Sequence, residues 1–193
     1  MPPRLRADAA RNVAQIRAAA IDAFRGRGLD TPLAEIAAAA GVSKATIYNR
    51  FGGRDGLIDA VIGDLVATEL YAIMAYALSI EDPWKSISRC IYSRRDLQYR
   101  EPAFTDALLM AYPDSPQLVA LGDAVTEASE RLFRRGHEAG VLRVDVTVGD
   151  LYYADVANGL ALRHLGKPDR ADYDRRTMQF IDGLRVSPRA TGP

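Results

Sequence analysis

An all-α fold is what this sequence predicts, and three observations carry it. Apolar residues recur at spacings of three and four along nearly the whole chain. Glycine or proline marks the point where several of these runs start or stop. The one stretch that alternates like a strand, "GVLRVDV" at 140–146, has no partner strand nearby in sequence and reads as an extended connector.

The elements follow in order. In residues 9–25, Val13, Ile16, Ala20 and Phe24 share one helical face, and Gly26 and Gly28 end the run. Thr31 reads as an N-cap with Pro32 at the first helical position, opening a helix over 32–39 that turns Leu33, Ile36 and Ala37 inward and stops at Gly41. Ser43 caps the next short helix, "KATIYNRF". Two short helices joined by a glycine-containing turn, with a third packed across them, make the helix-turn-helix pattern. A longer helix is expected from Arg54 to Ser79, with Leu57, Val61, Leu65, Leu70 and Met74 buried. Trp84, Ile87 and Ile91 mark another that ends near Arg100, and Phe104, Leu108 and Ala111 mark a short one before "YPDSP". From Pro116 to Ala139 one amphipathic stripe runs through Leu118, Leu121, Val125, Ala128 and Leu132. Thr147-x-x-Asp150 is a capping-box signature. The helix it opens, 148–165, is apolar almost all round, so burial on every face is expected, with a second copy of the chain as one partner. Residues 170–185 set Tyr173, Thr177, Phe180, Ile181 and Leu184 on one stripe. The predicted organisation is a larger helical body after a three-helix module: a flexible basic arm at 1–10, the helix-turn-helix at 11–54, the body at 55–186 and a disordered tail at 187–193.

Composition excludes several classes. With 48% hydrophobic and 26% charged residues the 193-residue chain is globular. No apolar run reaches the roughly 20 residues of a membrane span, and no apolar stretch follows the basic N-terminus as in a secretory signal. A single cysteine, Cys90, excludes an intramolecular disulfide and a cysteine-cluster metal site. Cytoplasmic residence is the default expectation. Net charge is zero, but residues 1–62 hold nine Lys/Arg against six Asp/Glu, while the remainder is acidic. A basic N-terminal module on an acidic body points toward a polyanion.

The short helix says which polyanion. With Ile47 facing the core and 100° per residue, Phe51 and Ser43 fall within about 40° of it, and Ala45 and Asn49 fall opposite. Tyr48 and Thr46 flank that outer face, with Lys44 and Arg50 on its shoulders. A small residue in the leading turn lets a helix enter the DNA major groove. Lys reads guanine, Thr the thymine methyl and Asn adenine. Tyr48, Arg50 and Arg54 suit phosphate oxygens, as do the helix N-termini near Thr31 and Ser43. The arm, with Arg4, Arg6 and Arg11, is either a minor-groove reader or a solubilising tail.

Residues 11–62 resemble the DNA-binding domain of the tetracycline-repressor (TetR) family. The matching string is "LAEIAAAAGVSKATIYNRFGGRDGLIDAVI", which keeps the family's Gly41, Val42, Ser43, Thr46, Ile47, Tyr48 and Phe51, with Arg54 in the following turn. The resemblance implies base contacts from Lys44, Ala45 and Thr46, phosphate contact from Tyr48, and further contacts from Asn49, Arg50 and Arg54. Where the family often has Pro-Ser, this chain has Gly52-Gly53, and Gly56 is expected to weaken the helix that follows. The resemblance also implies a small-molecule pocket among the later helices. Met74, Trp84, Tyr92, Phe104, Met110 and Tyr112 are its candidate lining or else ordinary core. Arg89, Arg94, Arg95 and Arg100 are either an anion site or a solvated helix face.

Catalytic chemistry finds no constellation. His137 and His164 have no second ligand at helical spacing, so no metal is expected. Cys90 reads as a small buried hydrophobe. The expectation is a homodimeric regulator, a repressor, that binds double-stranded operator DNA and answers a small-molecule effector, with no cofactor and no membrane partner. Tyr153, Ala157, Leu160, Ala161, Phe180 and Leu184 are the expected dimer interface. The rival readings are a helical small-molecule-binding protein without DNA function and an effector-independent activator or architectural DNA binder.

Overall fold

The structure, a computed structural model, describes residues 3–108 and 115–186. Met110, Tyr112 and the tail at 187–193 lie outside the described residues. Ten α-helices are described: α1 (Pro3–Arg27), α2 (Leu33–Ala39), α3 (Lys44–Phe51), α4 (Arg54–Ile62), α5 (Thr68–Ser79), α6 (Pro83–Arg100), α7 (Pro102–Leu108), α8 (Pro116–Glu138), α9 (Val148–His164) and α10 (Arg170–Leu184). Among the described residues no helix is long and apolar enough to cross a membrane. The chain divides into two compact units. The first takes residues up to Glu69 together with Arg100–Gly122; the second takes Leu70–Tyr99 and everything from Asp123. The expected boundary after residue 54 is therefore corrected, because α4 and α7 pack with the N-terminal helices and not apart from them.

In the first unit, Ile16, Ala20 and Phe24 of α1 are fully buried where α1 packs on α2 and α4, and Leu33, Ile36, Ile47, Leu57, Ile58 and Val61 are buried where α2, α3 and α4 pack together. Each of the larger side chains contributes about 1.5–3 kcal/mol by leaving water. Helix α1 starts at Pro3, so residues 3–10 are helical where a flexible arm was expected. The alanine-rich run "ADAARNVAQ" has high helix propensity and no breaker, and proline is tolerated in a first turn. The helix expected over 54–79 is interrupted by a π turn at Gly63–Ala67. Arg17 pairs with the Asp64 carboxylate at 3.0 Å, and Arg25 donates to the Asp64 carbonyl at 3.2 Å, tying α1 to this turn.

The second unit encloses a core of Met74, Ile87, Cys90, Ile91, Leu132, Phe133, Leu142, Leu151 and Ile181. Arg135 of α8 donates to the Leu78, Ile80 and Glu81 carbonyls, satisfying the C-terminal end of α5. The 140–146 segment finds its partner at the other end of the chain. Leu142 bridges Arg185 in antiparallel fashion, and Val186 N–H donates to the Val141 carbonyl at 3.1 Å. The capping box at the start of α9 is formed: the Thr147 hydroxyl accepts from Asp150 N–H, and the Asp150 carboxylate accepts from Thr147 N–H at 2.8 Å.

The solvated-face reading of the α6 arginines is corrected for two of the four. Arg89 is exposed and Arg100 pairs with Glu69, but Arg94 and Arg95 are buried around Asp155. Around them Gln98 donates to the Asp155 carbonyl at 2.8 Å and accepts from Asn158, which also donates to the Tyr173 hydroxyl. Burial raises the Asp155 carboxyl and lowers the Arg95 guanidinium from their ordinary values, opposed in both by their mutual attraction.

Candidate nucleic-acid interface

Ser43 has extended φ and ψ, and its hydroxyl accepts the Thr46 N–H at 3.1 Å, so α3 begins with a satisfied N-cap. The two hydroxyls of Ser43 and Thr46 also share a hydrogen bond of 2.9 Å. Ile47 is fully buried and anchors the helix. Lys44, Ala45, Tyr48, Asn49 and Arg50 are exposed, with Thr46 half-buried, and Tyr48 keeps 51% of its surface open. Lys44 Nζ stands 5.9 Å from the Tyr48 ring centre. Among the described residues Arg50 makes no ion pair. The face is cationic, small in its first turn and free of acids.

The end of α3 is made by two glycines. Gly52 takes φ +77° and caps the helix in the left-handed region, and Gly53 follows at φ +117°. A Cβ at Gly53 would lie 3.1 Å from the Tyr48 ring, so the missing side chain leaves room for the tyrosine to lie along the turn. Gly56, expected to weaken α4, also has a packing reason to be glycine. A Cβ there would overlap the Phe51 carbonyl oxygen, so glycine is what permits α4 to pack this closely on α3.

Two predicted contacts are redirected by the structure. Thr31 is buried and does not cap α2, whose N-cap position is Pro32. Its hydroxyl donates to the Gly28 carbonyl at 2.9 Å, which a side chain pointing back into its own turn can reach and one pointing at solvent cannot. Arg54, expected on phosphate, donates instead to the Leu29 and Thr31 carbonyls. These carbonyls lie in the loop before α2, where no helical partner exists for them. Asp106 of α7 was missed: its buried carboxylate accepts the Leu29 N–H at 2.6 Å. The available signal was an acid three residues after Ala103 on the inward face of a short apolar helix.

The candidate pocket residues are not brought together as a set. Met74 is core, with the Cys90 thiol 3.6 Å from its sulfur, and Trp84 and Tyr92 pack on that same core. Phe104 is buried in the first unit, because α7 packs on α1 and the π turn. Of the candidate interface residues, Tyr153, Ala157, Leu160 and Ala161 form one exposed stripe on α9, with Tyr153 72% exposed. Phe180 and Leu184 are half-buried and pack against the second unit's core, and Met178 is a large exposed apolar residue of α10.

Comparison with known proteins gives the following. The family model described as bacterial regulatory proteins, tetR family, matches residues 16–61. A second, described as transcriptional regulator SbtR-like, C-terminal domain, matches residues 97–186. The chain is 44% identical over 70 residues to the HTH-type transcriptional regulatory protein RaaS of Mycobacterium tuberculosis, across 36% of this chain and 32% of that one. It is 31% identical over 123 residues to the HTH-type transcriptional regulator NfxB of Pseudomonas aeruginosa, across 60% of this chain and 62% of that one. The chain thus spans less than two thirds of either curated relative. The crystal structure of PfmR, a TetR family transcriptional regulator from Thermus thermophilus, is similar with a TM-score of 0.64 at 25% identity, across 86% of this chain and 91% of that one.

Proposed function

The chain belongs to the TetR family of bacterial transcriptional regulators, a family of regulators and not of enzymes, and from that premise we propose that it represses transcription by seating α3 in the major groove of a palindromic operator. The single observation that carries the reading is the exposed face of α3. Lys44, Ala45 and Thr46 in its first turn would meet base edges, and Tyr48, Asn49 and Arg50 would meet adjacent bases or phosphates.

The protein acts as a homodimer in this reading. The exposed apolar stripe Tyr153, Ala157, Leu160 and Ala161 on α9, with Met178 on α10, supports a self-complementary interface formed by these two helices and their copies. Two-fold symmetry then sets the recognition helices about 34–36 Å apart, one DNA turn, or a multiple of that. An effector bound in the second unit favours a dimer with the wrong separation. Coupling of this kind is typically about 1–3 kcal/mol and reciprocal, so operator DNA weakens effector binding by the same factor.

The test is selection of bound fragments from genomic DNA, followed by gel-shift titration of the recovered site. A palindrome bound by the native chain and not by a folded Tyr48→Ala variant is the expected result. Equal affinity of the two proteins for that site excludes the assignment of α3.

A further inference from the structure

Among its described residues the second unit buries more positive than negative charge. Arg94 and Arg95 on α6 are 3% and 6% exposed, and Asp155 on α9 is 1% exposed. Arg94 Nη2 stands 2.8 Å from Asp155 Oδ2, and Arg95 Nε stands 3.8 Å from Oδ1. An arginine does not give up its proton in a protein, so two cations share one carboxylate. The other titratable neighbours do not supply the missing charge. Burial pushes the Cys90 thiol up to about 11 and raises the Tyr173 phenol, so both are neutral. Arg170, near Tyr173, is matched by Asp96 and Asp174 closer to the surface.

The same cluster holds polar atoms whose hydrogen bonds are unmade. Among the described residues, Nε of both arginines, the Thr177 hydroxyl oxygen and both Asp155 carboxylate oxygens are buried with no hydrogen-bond partner. Thr177 lies on α10 between Tyr173, whose hydroxyl donates to the Arg95 carbonyl at 2.8 Å, and Phe180, whose ring centre lies 4.0 Å from the Arg95 guanidinium carbon. An uncompensated charge and unpaired donors in a low-dielectric interior are both strongly unfavourable, and one bound anion offsets the charge and accepts from the arginine and threonine donors. The shortfall is a single charge, which fits a carboxylate better than a phosphate, which carries about 1.5 to 2 negative charges at neutral pH. Ile91 and Phe180 add apolar surface beside the polar network of Gln98, Asn158 and Tyr173.

We propose that the interior between α6, α9 and α10 is a binding site for a small organic carboxylate, its charge held by Arg94, Arg95 and Thr177 and its hydrocarbon body by the neighbouring apolar side chains. This rests on the effector-gated reading above and gives the effector a chemical class.

The experiment is calorimetric titration of the full chain, without DNA, using straight-chain carboxylates from butyrate to decanoate, and the corresponding amides and amines. Carboxylates bind and the neutral and cationic analogues do not. Arg95→Met weakens the best carboxylate by about tenfold or more, the loss of a charge-assisted bidentate partner. It also leaves the free protein no less heat-stable, since the remaining buried charges balance. Thr177→Val keeps every charge and weakens binding severalfold, which keeps the test open if Arg95→Met does not fold. Absence of heat with every carboxylate overturns the proposal, as does equal binding of the amides. Unchanged carboxylate affinity in the folded variants overturns it too. The gating reading fails separately: carboxylates that bind but leave the operator complex intact in a gel shift sustain this site and remove its role as the switch.

Discussion

The Asp106 carboxylate on α7 accepts the main-chain N–H of Leu29 at 2.6 Å, joining residues far apart in the chain at the loop that precedes α2. Arg54 grips the same loop from α4 through the Leu29 and Thr31 carbonyls. Three main-chain groups that no helix satisfies thus obtain partners from two charged side chains.

Arg54→Ala is therefore expected to destabilise the first unit by about 1 kcal/mol or more, the cost of leaving part-buried main-chain acceptors unpaired. Thermal unfolding measures this. If Arg54 held phosphate instead, stability would be unchanged and the dependence of operator binding on log salt would flatten by about 0.9.

Gly56→Ala and Gly63→Ala are expected to move stability in opposite directions. A Cβ at 56 meets the Phe51 carbonyl, and overpacking of this kind costs about 1–3 kcal/mol or more. A Cβ at 63 meets nothing within 4 Å at a right-handed φ of −59°, so alanine there stabilises by about 0.5–1 kcal/mol. Chemical denaturation of the two variants side by side gives the comparison.

Lys44→Ala is expected to change which operator bases are preferred, with about 1–3 kcal/mol less discrimination at one position. Competition of single-base operator variants in a binding assay reads this directly. A uniform loss across all sequences would make Lys44 a phosphate contact.

Ala157→Arg puts a cation in the middle of the exposed α9 stripe and is expected to yield folded monomers in sedimentation velocity. Burying an unpaired charge at the centre of an apolar interface is prohibitive, whereas on a free surface it costs almost nothing. A persistent dimer would move the interface elsewhere.

Cys90 is expected to resist thiol reagents at pH 8 in the folded protein and to react at once in denaturant. It is 2% exposed, and its pKa, pushed up to about 11 by burial, leaves only about one thiolate in a thousand at that pH. The sign of the linked stability follows. The folded pKa is raised above the ordinary thiol value of 9.0, so this contribution is complete below 9 and is lost as pH rises toward about 11.

What could be read from the chain is uneven, and the division has a pattern. The Ser43 cap, the Thr147–Asp150 capping box and the outward turn of Ala45, Tyr48 and Asn49 around Ile47 were all legible, because each involves residues within one or two helical turns. The partner of the 140–146 segment was not, because it lies at 184–186. For Phe180 and Leu184 the stripe was legible and its partner was not: both pack on their own core while staying half-buried, since a stripe does not say whether it faces its own core or a second copy.

By itself, then, the order of residues determined the helices, their ends and the cation-bearing outer face of α3, since dihedral preference, capping and the 100° step act over a few residues. Only the tertiary structure decided where the charges go. Arg54 reads as a surface cation until Leu29 and Thr31 arrive with bare carbonyls, and Arg94 and Arg95 read as an anion site or a solvated face until α6 and α9 close them around Asp155. A charged group's energy depends on the dielectric and the opposite charges within a few ångströms, and those neighbours come from helices that local sequence does not bring together.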